Sequence, residues 1–188
     1  MDPDIDLQDL MARYQQGDSD AATALVHRLS PQLHRFFLVK VVSRRHADDL
    51  LQETWMRIHQ VRHTFRHGQP VLPWLYAIAR NIRVDHYRKA YRVEGREQPL
   101  EAGYDIREAP GERSTETPDL EALLAALPQS QREVIAMLKV SGMSLEEVAR
   151  ATASSVGSVK QKAHRAYVKL RKGLAGMGLP NAGGRGLS

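Results

Sequence analysis

Two blocks of cationic side chains carry the densest chemistry in the sequence. Between positions 80 and 92, Arg80, Arg83, Arg88, Lys89 and Arg92 stand against a single acid, Asp85. Between 156 and 172, Lys160, Lys162, Arg165, Lys169, Arg171 and Lys172 have no acid among them. Guanidinium and ammonium groups at this density neutralise phosphates. The blocks lie in opposite halves of a 188-residue chain with net charge +5 and pI near 9.6. Two separated contacts with one long polyanion fit this spacing, and nucleic acid is the natural partner. The acids are segregated too, with six Asp against one Arg in residues 1–20.

Other chemistries find little support. With no cysteine there is no disulfide, cysteine-ligated zinc or thiol nucleophile. His59, His63 and His67 recur every four residues, and the first two share a helical face suited to a metal. His67, however, falls beside Gly68, where the helix should have ended, and no nearby carboxylate completes a tetrahedral set. Asp85 and His86 are adjacent and point to different helix faces, and neither a Ser-centred nucleophile turn nor a Gly-rich phosphate loop is present. The expectation is a protein that is not an enzyme and needs no cofactor or metal. No run approaches the roughly 20 apolar residues of a membrane span. The acidic start Met1-Asp2-Pro3-Asp4 lacks the features of a signal peptide, so a cytoplasmic protein without membrane insertion is expected.

The elements that must position these groups read as helices throughout. Over 20–92 the apolar residues recur at helical spacing, as in Leu25, Leu29, Leu33, Phe36 and Phe37, then Leu50, Leu51, Trp55, Ile58 and Val61. Asp18 and Ser19 are N-cap types for the first long helix, and a polar turn over 43–48 opens another. Gly68, Pro70 and Pro73 predict a loop before a helix that starts near Pro73 and reaches Ala90. Trp55 and Trp74 sit within apolar patterns and read as core. Residues 93–118 change character, with seven Glu or Asp among scattered Gly and Pro and no sustained period, which describes a flexible acidic linker. Periodicity returns with Leu120, Leu123, Leu124 and Leu127 and continues to 174. Residues 1–19 form an acidic N-terminal segment and residues 175–188 a Gly-rich, disordered tail. The fold class is all-α, with two small helical domains at 20–92 and 119–174.

Within the second domain, segments near 119–126, 129–139, 144–151 and 155–172 suit helices. Ser144 with Glu147 three residues on has the reciprocal pattern of a capping box. Leu145, Val148 and Ala149 then face inward, a turn follows at Thr152 and Ala153, and Val156 and Val159 anchor the next helix. This is a helix-turn-helix pattern. Ser155, Ser158, Lys160, Gln161, Lys162 and His164 face outward from the second helix, where such motifs contact the DNA groove. The run Ser155-Val156-Gly157-Ser158-Val159-Lys160-Gln161-Lys162-Ala163-His164-Arg165-Ala166 resembles the recognition segment of sigma region 4, and Leu127-Pro128-Gln129-Ser130-Gln131-Arg132-Glu133-Val134 resembles the segment that opens it. Ala153 and Ser154 stand where that family usually has Gly and an aliphatic residue.

Earlier in the chain, Asp48-Asp49-Leu50-Leu51-Gln52-Glu53-Thr54-Trp55 and the run Pro73-Trp74-Leu75-Tyr76-Ala77-Ile78-Ala79-Arg80-Asn81-Ile82-Arg83-Val84-Asp85-His86-Tyr87-Arg88-Lys89 resemble region 2 of extracytoplasmic-function (ECF) sigma factors in the sigma-70 family. The resemblance covers about 20–91 and 119–172, in the family's order. It implies a promoter-specificity subunit of RNA polymerase, with promoter DNA, core RNA polymerase and an anti-sigma factor as partners. Asp49, Gln52 and Glu53 would meet core polymerase. Phe65, Arg80, Asn81, Arg83, Arg88 and Lys89 would engage the −10 element, with the loop over 65–72 helping to form the pocket for a flipped base. Ser155, Ser158, Lys160, Gln161, Lys162, His164 and Arg165 would read the −35 element. By the same analogy the acidic linker imitates nascent RNA near the polymerase active centre. The physical chemistry agrees, because Arg80, Asn81, Val84 and Arg88 can share a helix face and strand capture needs a cationic track beside base-binding groups. The alternative is a stand-alone helix-turn-helix regulator whose N-terminal half senses a ligand or dimerises. It explains residues 119–172 equally well but not Asn81 amid the basic helix or the Gln52-Glu53 face.

Overall fold

The computed structural model describes residues 3–39, 44–93 and 123–176, and among them regular structure is helical throughout. The N-terminal half contains α1 (Pro3–Gln15), α2 (Ser19–Leu38), α3 (Arg44–Val61) and α4 (Val71–Val93), with a 3-10 turn at Arg62–Thr64. The C-terminal half contains a helical end at 123–125, then α5 (Gln129–Ile135), a π-turn (Ala136–Val140), α6 (Leu145–Ala151) and α7 (Val156–Gly176). The expected linker from 94 onward and the tail beyond 176 lie outside the described residues.

Local chemistry sets most of these boundaries. The Asp18 carboxylate accepts from the backbone N–H of Asp20 and Ala21 at 2.9 and 3.0 Å, capping α2. Arg13 near the end of α1 pairs with the same carboxylate at 2.8 Å. The Ala21 N–H first and Arg13 next hold this carboxyl below its ordinary value. Helix α4 starts at Val71, two residues before the expected Pro73. A proline in the first turn loses no hydrogen bond, because the N–H groups there have no intrahelical partner. The capping box at α6 is complete, with Ser144 N–H donating to Glu147 at 2.7 Å and Glu147 N–H donating to the Ser144 hydroxyl at 3.2 Å. Before it, Ser141 N–H reaches back five residues to the Ala136 carbonyl at 3.2 Å. Gly142, at φ +66, then reverses the chain.

Two features depart from the sequence reading. Residues 3–15, expected within an acidic N-terminal segment, form a helix that buries Leu7, Met11 and Tyr14 in the core, so the bundle begins before residue 20. The two halves also share one apolar core, from Met11, Leu25, Leu33 and Phe36 through Tyr76 to Met137, Val148 and Val159. Helix α4 packs on α6, and α2 packs on the π-turn. A smaller cluster of Leu127, Ile135 and Ala166 lies within the C-terminal half. Gly173 in α7 passes close over the Leu123 side chain, which a larger residue there would displace.

Candidate nucleic-acid interface

In the helix-turn-helix, α6 buries Val148, Ala149 and Ala151, and α7 buries Val159, Ala163 and Ala166. The four alanines among these let the two helices cross closely. Their junction is a Schellman turn, with Ser154 N–H bonded to the Ala149 carbonyl at 2.9 Å and Ala153 N–H to the Arg150 carbonyl at 3.2 Å. Ala153 occupies the left-handed position at φ 49, where glycine is the usual residue. With Val159 and Ala163 turned inward, Ser155, Lys160, Gln161, His164 and Arg165 are exposed, and Ser158 and Lys162 are half-buried. The structure brings all seven sequence-predicted residues onto the first turns of α7. Ser155 also caps that helix, its hydroxyl accepting from Ser158 N–H at 3.2 Å. The surface offers ammonium, guanidinium, amide, hydroxyl and imidazole groups on a groove-sized helix, a combination that can hold phosphates and read base edges.

The second cationic set divides along α4. Asn81, Arg88 and Lys89 are exposed, and Arg88 approaches Asp85 at 3.7 Å across a turn. Arg80 and Arg83 instead turn toward the C-terminal half. Arg80 Nε lies 3.4 Å from the Glu133 carboxylate, and the Arg83 guanidinium lies 3.8 Å from its other oxygen. Arg83 is only 6% exposed, and the Gln129 side-chain amide also meets it. Arg83 is therefore not the open phosphate ligand the sequence suggests, because in this arrangement α5 covers it.

Phe65 requires a similar correction. Expected at the −10 contact, it is 4% exposed and packs edge-on against Trp74, with ring centroids 5.4 Å apart. It supports the 65–70 loop from beneath, while Arg66, His67 and Gln69 form the exposed rim. Gln15 fixes this corner to α1 by donating to the carbonyls of Arg62 and Phe65 at 2.7 and 2.9 Å. Trp55 is half-buried against the core, and its polar end is satisfied by donating to Ser30 at 2.9 Å.

Asp49, Gln52 and Glu53 are all exposed on α3. The next turn presents Met56, 57% exposed, which lines an apolar groove of about 520 Å³ with Val26 and Trp55. Met56 lies four residues after Gln52 and three after Glu53, so helical spacing could have added it to this face. The histidine series is broken: the His59 ring bonds the Tyr14 hydroxyl at 2.8 Å, while His63 lies in the 3-10 turn and His67 in the loop. Among the described residues no group of three or more His, Cys, Asp or Glu could hold a metal, and no helix is long and apolar enough to cross a membrane.

Comparison with known proteins matches the two halves separately. Residues 25–93 match the family model for sigma-70 region 2, and residues 118–170 match that for sigma-70, region 4. The RNA polymerase sigma factor CarQ of Myxococcus xanthus is 32% identical over 86% of this chain and 94% of its own length. The ECF RNA polymerase sigma factor SigF of Caulobacter vibrioides is 31% identical over 90% and 94%. Among solved structures, the sigma factor RpoE of Bartonella quintana, crystallised with the anti-sigma factor NepR, is 25% identical with a TM-score of 0.67, covering 81% of this chain and 96% of that one. The same fold occurs in CnrH, solved with the cytosolic domain of CnrY, at 24% identity and a TM-score of 0.71 over 91% and 98%. A recognition helix in the second half, a basic helix with an exposed asparagine in the first, and relatives matched across nearly their whole length agree, and the chain belongs to the ECF RNA polymerase sigma factors of the sigma-70 family.

Proposed function

We propose that this sigma factor directs promoter-specific initiation through a division of labour among three surfaces. The outward face of α7 reads the −35 element in the major groove, through Lys160, Gln161, Lys162, His164 and Arg165 with Ser155 and Ser158 at the helix start. The exposed side of α4, with Asn81, Arg88 and Lys89, captures the −10 strand, and Arg80 and Arg83 join it when they are released from Glu133. Asp49, Gln52 and Glu53, continued by Met56, dock core polymerase. The observation that carries this reading is a complete helix-turn-helix whose cationic face is exposed, in a chain that also carries region 2. An anti-sigma factor is a fitting regulator, since RpoE of Bartonella quintana was crystallised with one. The protein acts in the cytoplasm, supplies no catalytic group and needs no cofactor, because polymerase makes the bonds.

Run-off transcription with purified core enzyme tests this. The sigma factor should give a discrete promoter-dependent transcript, whereas a stand-alone regulator would bind duplex DNA and leave core enzyme non-specific. Lys160→Glu with Lys162→Glu should abolish the transcript and reduce the salt slope of duplex binding by roughly one per lysine. An unchanged slope would remove α7 from the DNA interface.

A further inference from the structure

We propose that α7 enters the major groove along a ridge of Gly157, Gln161 and His164, that the bare backbone at Gly157 lets DNA close on the helix, and that Gln161 reads an adenine of the −35 element. This rests on the reading of α7 given above. Gly157, Gln161 and His164 follow one another at four and three residues, so they share one face of the helix. All three are exposed, and the buried Val159, Ala163 and Ala166 lie on the opposite face. The ridge therefore points directly away from the core. At 3.6 residues per turn, Lys160 stands roughly 70° to one side of it and Arg165 roughly 70° to the other. Both are exposed.

Gly157 is the residue that the chain's own structure does not explain. Gly17, Gly68 and Gly142 have positive φ, and Gly173 lies against Leu123. Gly157 has neither reason: it is helical, its φ is not left-handed, and a Cβ there would meet only Ser155 Oγ, at an ordinary 3.9 Å. Glycine in a helix is unfavourable relative to alanine. A surface arriving from outside accounts for it. A helix with its side chains is about 10–12 Å across and the major groove about 12 Å wide, so α7 nearly fills it. With the ridge toward the base edges, Lys160 and Arg165 then face the phosphates of opposite walls. The cations are taken up by the two backbones, and the groups left facing the bases are an amide and an imidazole. A guanidinium on the ridge would favour guanine, whereas the Gln161 amide accepts from adenine N6 and donates to N7. A methyl at position 157 would hold the helix off and carry Gln161, one turn along, out of reach.

Holoenzyme assembled from the full chain and core enzyme, selecting among duplex promoters randomised across the −35 region, tests each part. The unsubstituted chain should enrich adenine at one position. Gln161→Arg should change that position to guanine and leave its neighbours as they were. Gln161→Ala should cut the adenine preference there by about fivefold or more, the lower end of what a bidentate base contact contributes. Gly157→Ala should raise the melting temperature of the free chain by about 1–4 °C. It should nevertheless weaken binding to the selected duplex by about fivefold or more, the effect of a methyl forced into a closed contact. An adenine preference unchanged in both Gln161 variants, or no adenine enriched at any position, would remove Gln161 from base reading and overturn the proposal. A Gly157→Ala chain that binds as before, or that melts lower, would overturn it too, because the glycine would then serve the fold and not the approach of DNA. If the unsubstituted holoenzyme enriches no −35 sequence at all, the reading of α7 itself fails and the inference falls with it, whereas loss of the variant effects alone leaves that reading standing.

Discussion

At the scale of single residues, Ala153 shows how a helix-turn-helix tolerates an unfavourable choice. The Schellman turn needs a left-handed backbone at this position, and alanine there costs about 1–2 kcal/mol relative to a right-handed one. Glycine removes that strain but leaves a more flexible unfolded chain, costing roughly 0.5–1 kcal/mol. Ala153→Gly should therefore stabilise the protein by about 0.5–1 kcal/mol in urea unfolding, with duplex binding unchanged because the residue makes no side-chain contribution to α7. Loss of stability would mean that the turn relaxes away from φ 49. The turn itself was legible, since Ser144, Glu147, Val148 and Ala149 announce its first helix and Val156 and Val159 its second. Phe65 was not. An aromatic residue beside a polar loop gives the same sequence pattern whether the ring faces solvent or turns under the loop, and only the position of Trp74 decides between them.

At the scale of elements, the helices of both halves follow from apolar spacing and caps, and α1 is the instructive exception. Its acids dominate composition, so residues 1–19 read as a solvated segment. The apolar signal was present in Leu7, Leu10, Met11 and Tyr14, spaced as one stripe of a helix. Met11 is 1% exposed, and Tyr14 is tied to α3 through His59 while the Arg62 guanidinium lies 5.6 Å from its ring. The helix thus supports the turn after α3 and, through Gln15, the loop leading into α4. Met11→Ala should cost about 2–4 kcal/mol, the range for truncating a buried methionine. Calorimetry should show a lowered transition, and promoter-dependent transcription should fall in parallel at temperatures near it. A change below about 0.5 kcal/mol, the scale of a surface substitution, would mean that α1 docks too weakly to belong to the bundle.

At the scale of the molecule, the contact between the halves was not visible in the sequence. Periodicity marks which side of α4 is apolar, but not that part of that side is covered by α6 rather than by α3. Glu133, flanked by Arg132 and Val134, reads as an ordinary surface acid, although it is buried against α4. Tyr76 reports on this contact through its ionisation. Burial beside Phe36 pushes its hydroxyl up from 10.0 to about 12, with the Ser141 hydrogen bond opposing the shift. A phenol that resists ionisation in the folded chain stabilises that state fully below its unfolded value. That contribution is lost as pH rises from 10.0 toward about 12. The urea midpoint should therefore hold steady up to about pH 9 and fall between 10.0 and about 12, with part of the fall due to this one group. Tyr76→Phe cannot ionise there, so its midpoint should fall less steeply across the same window, although it begins lower for want of the Ser141 bond. Parallel curves for the two proteins would mean that the hydroxyl titrates as it does in water, and that the halves do not close over it in solution.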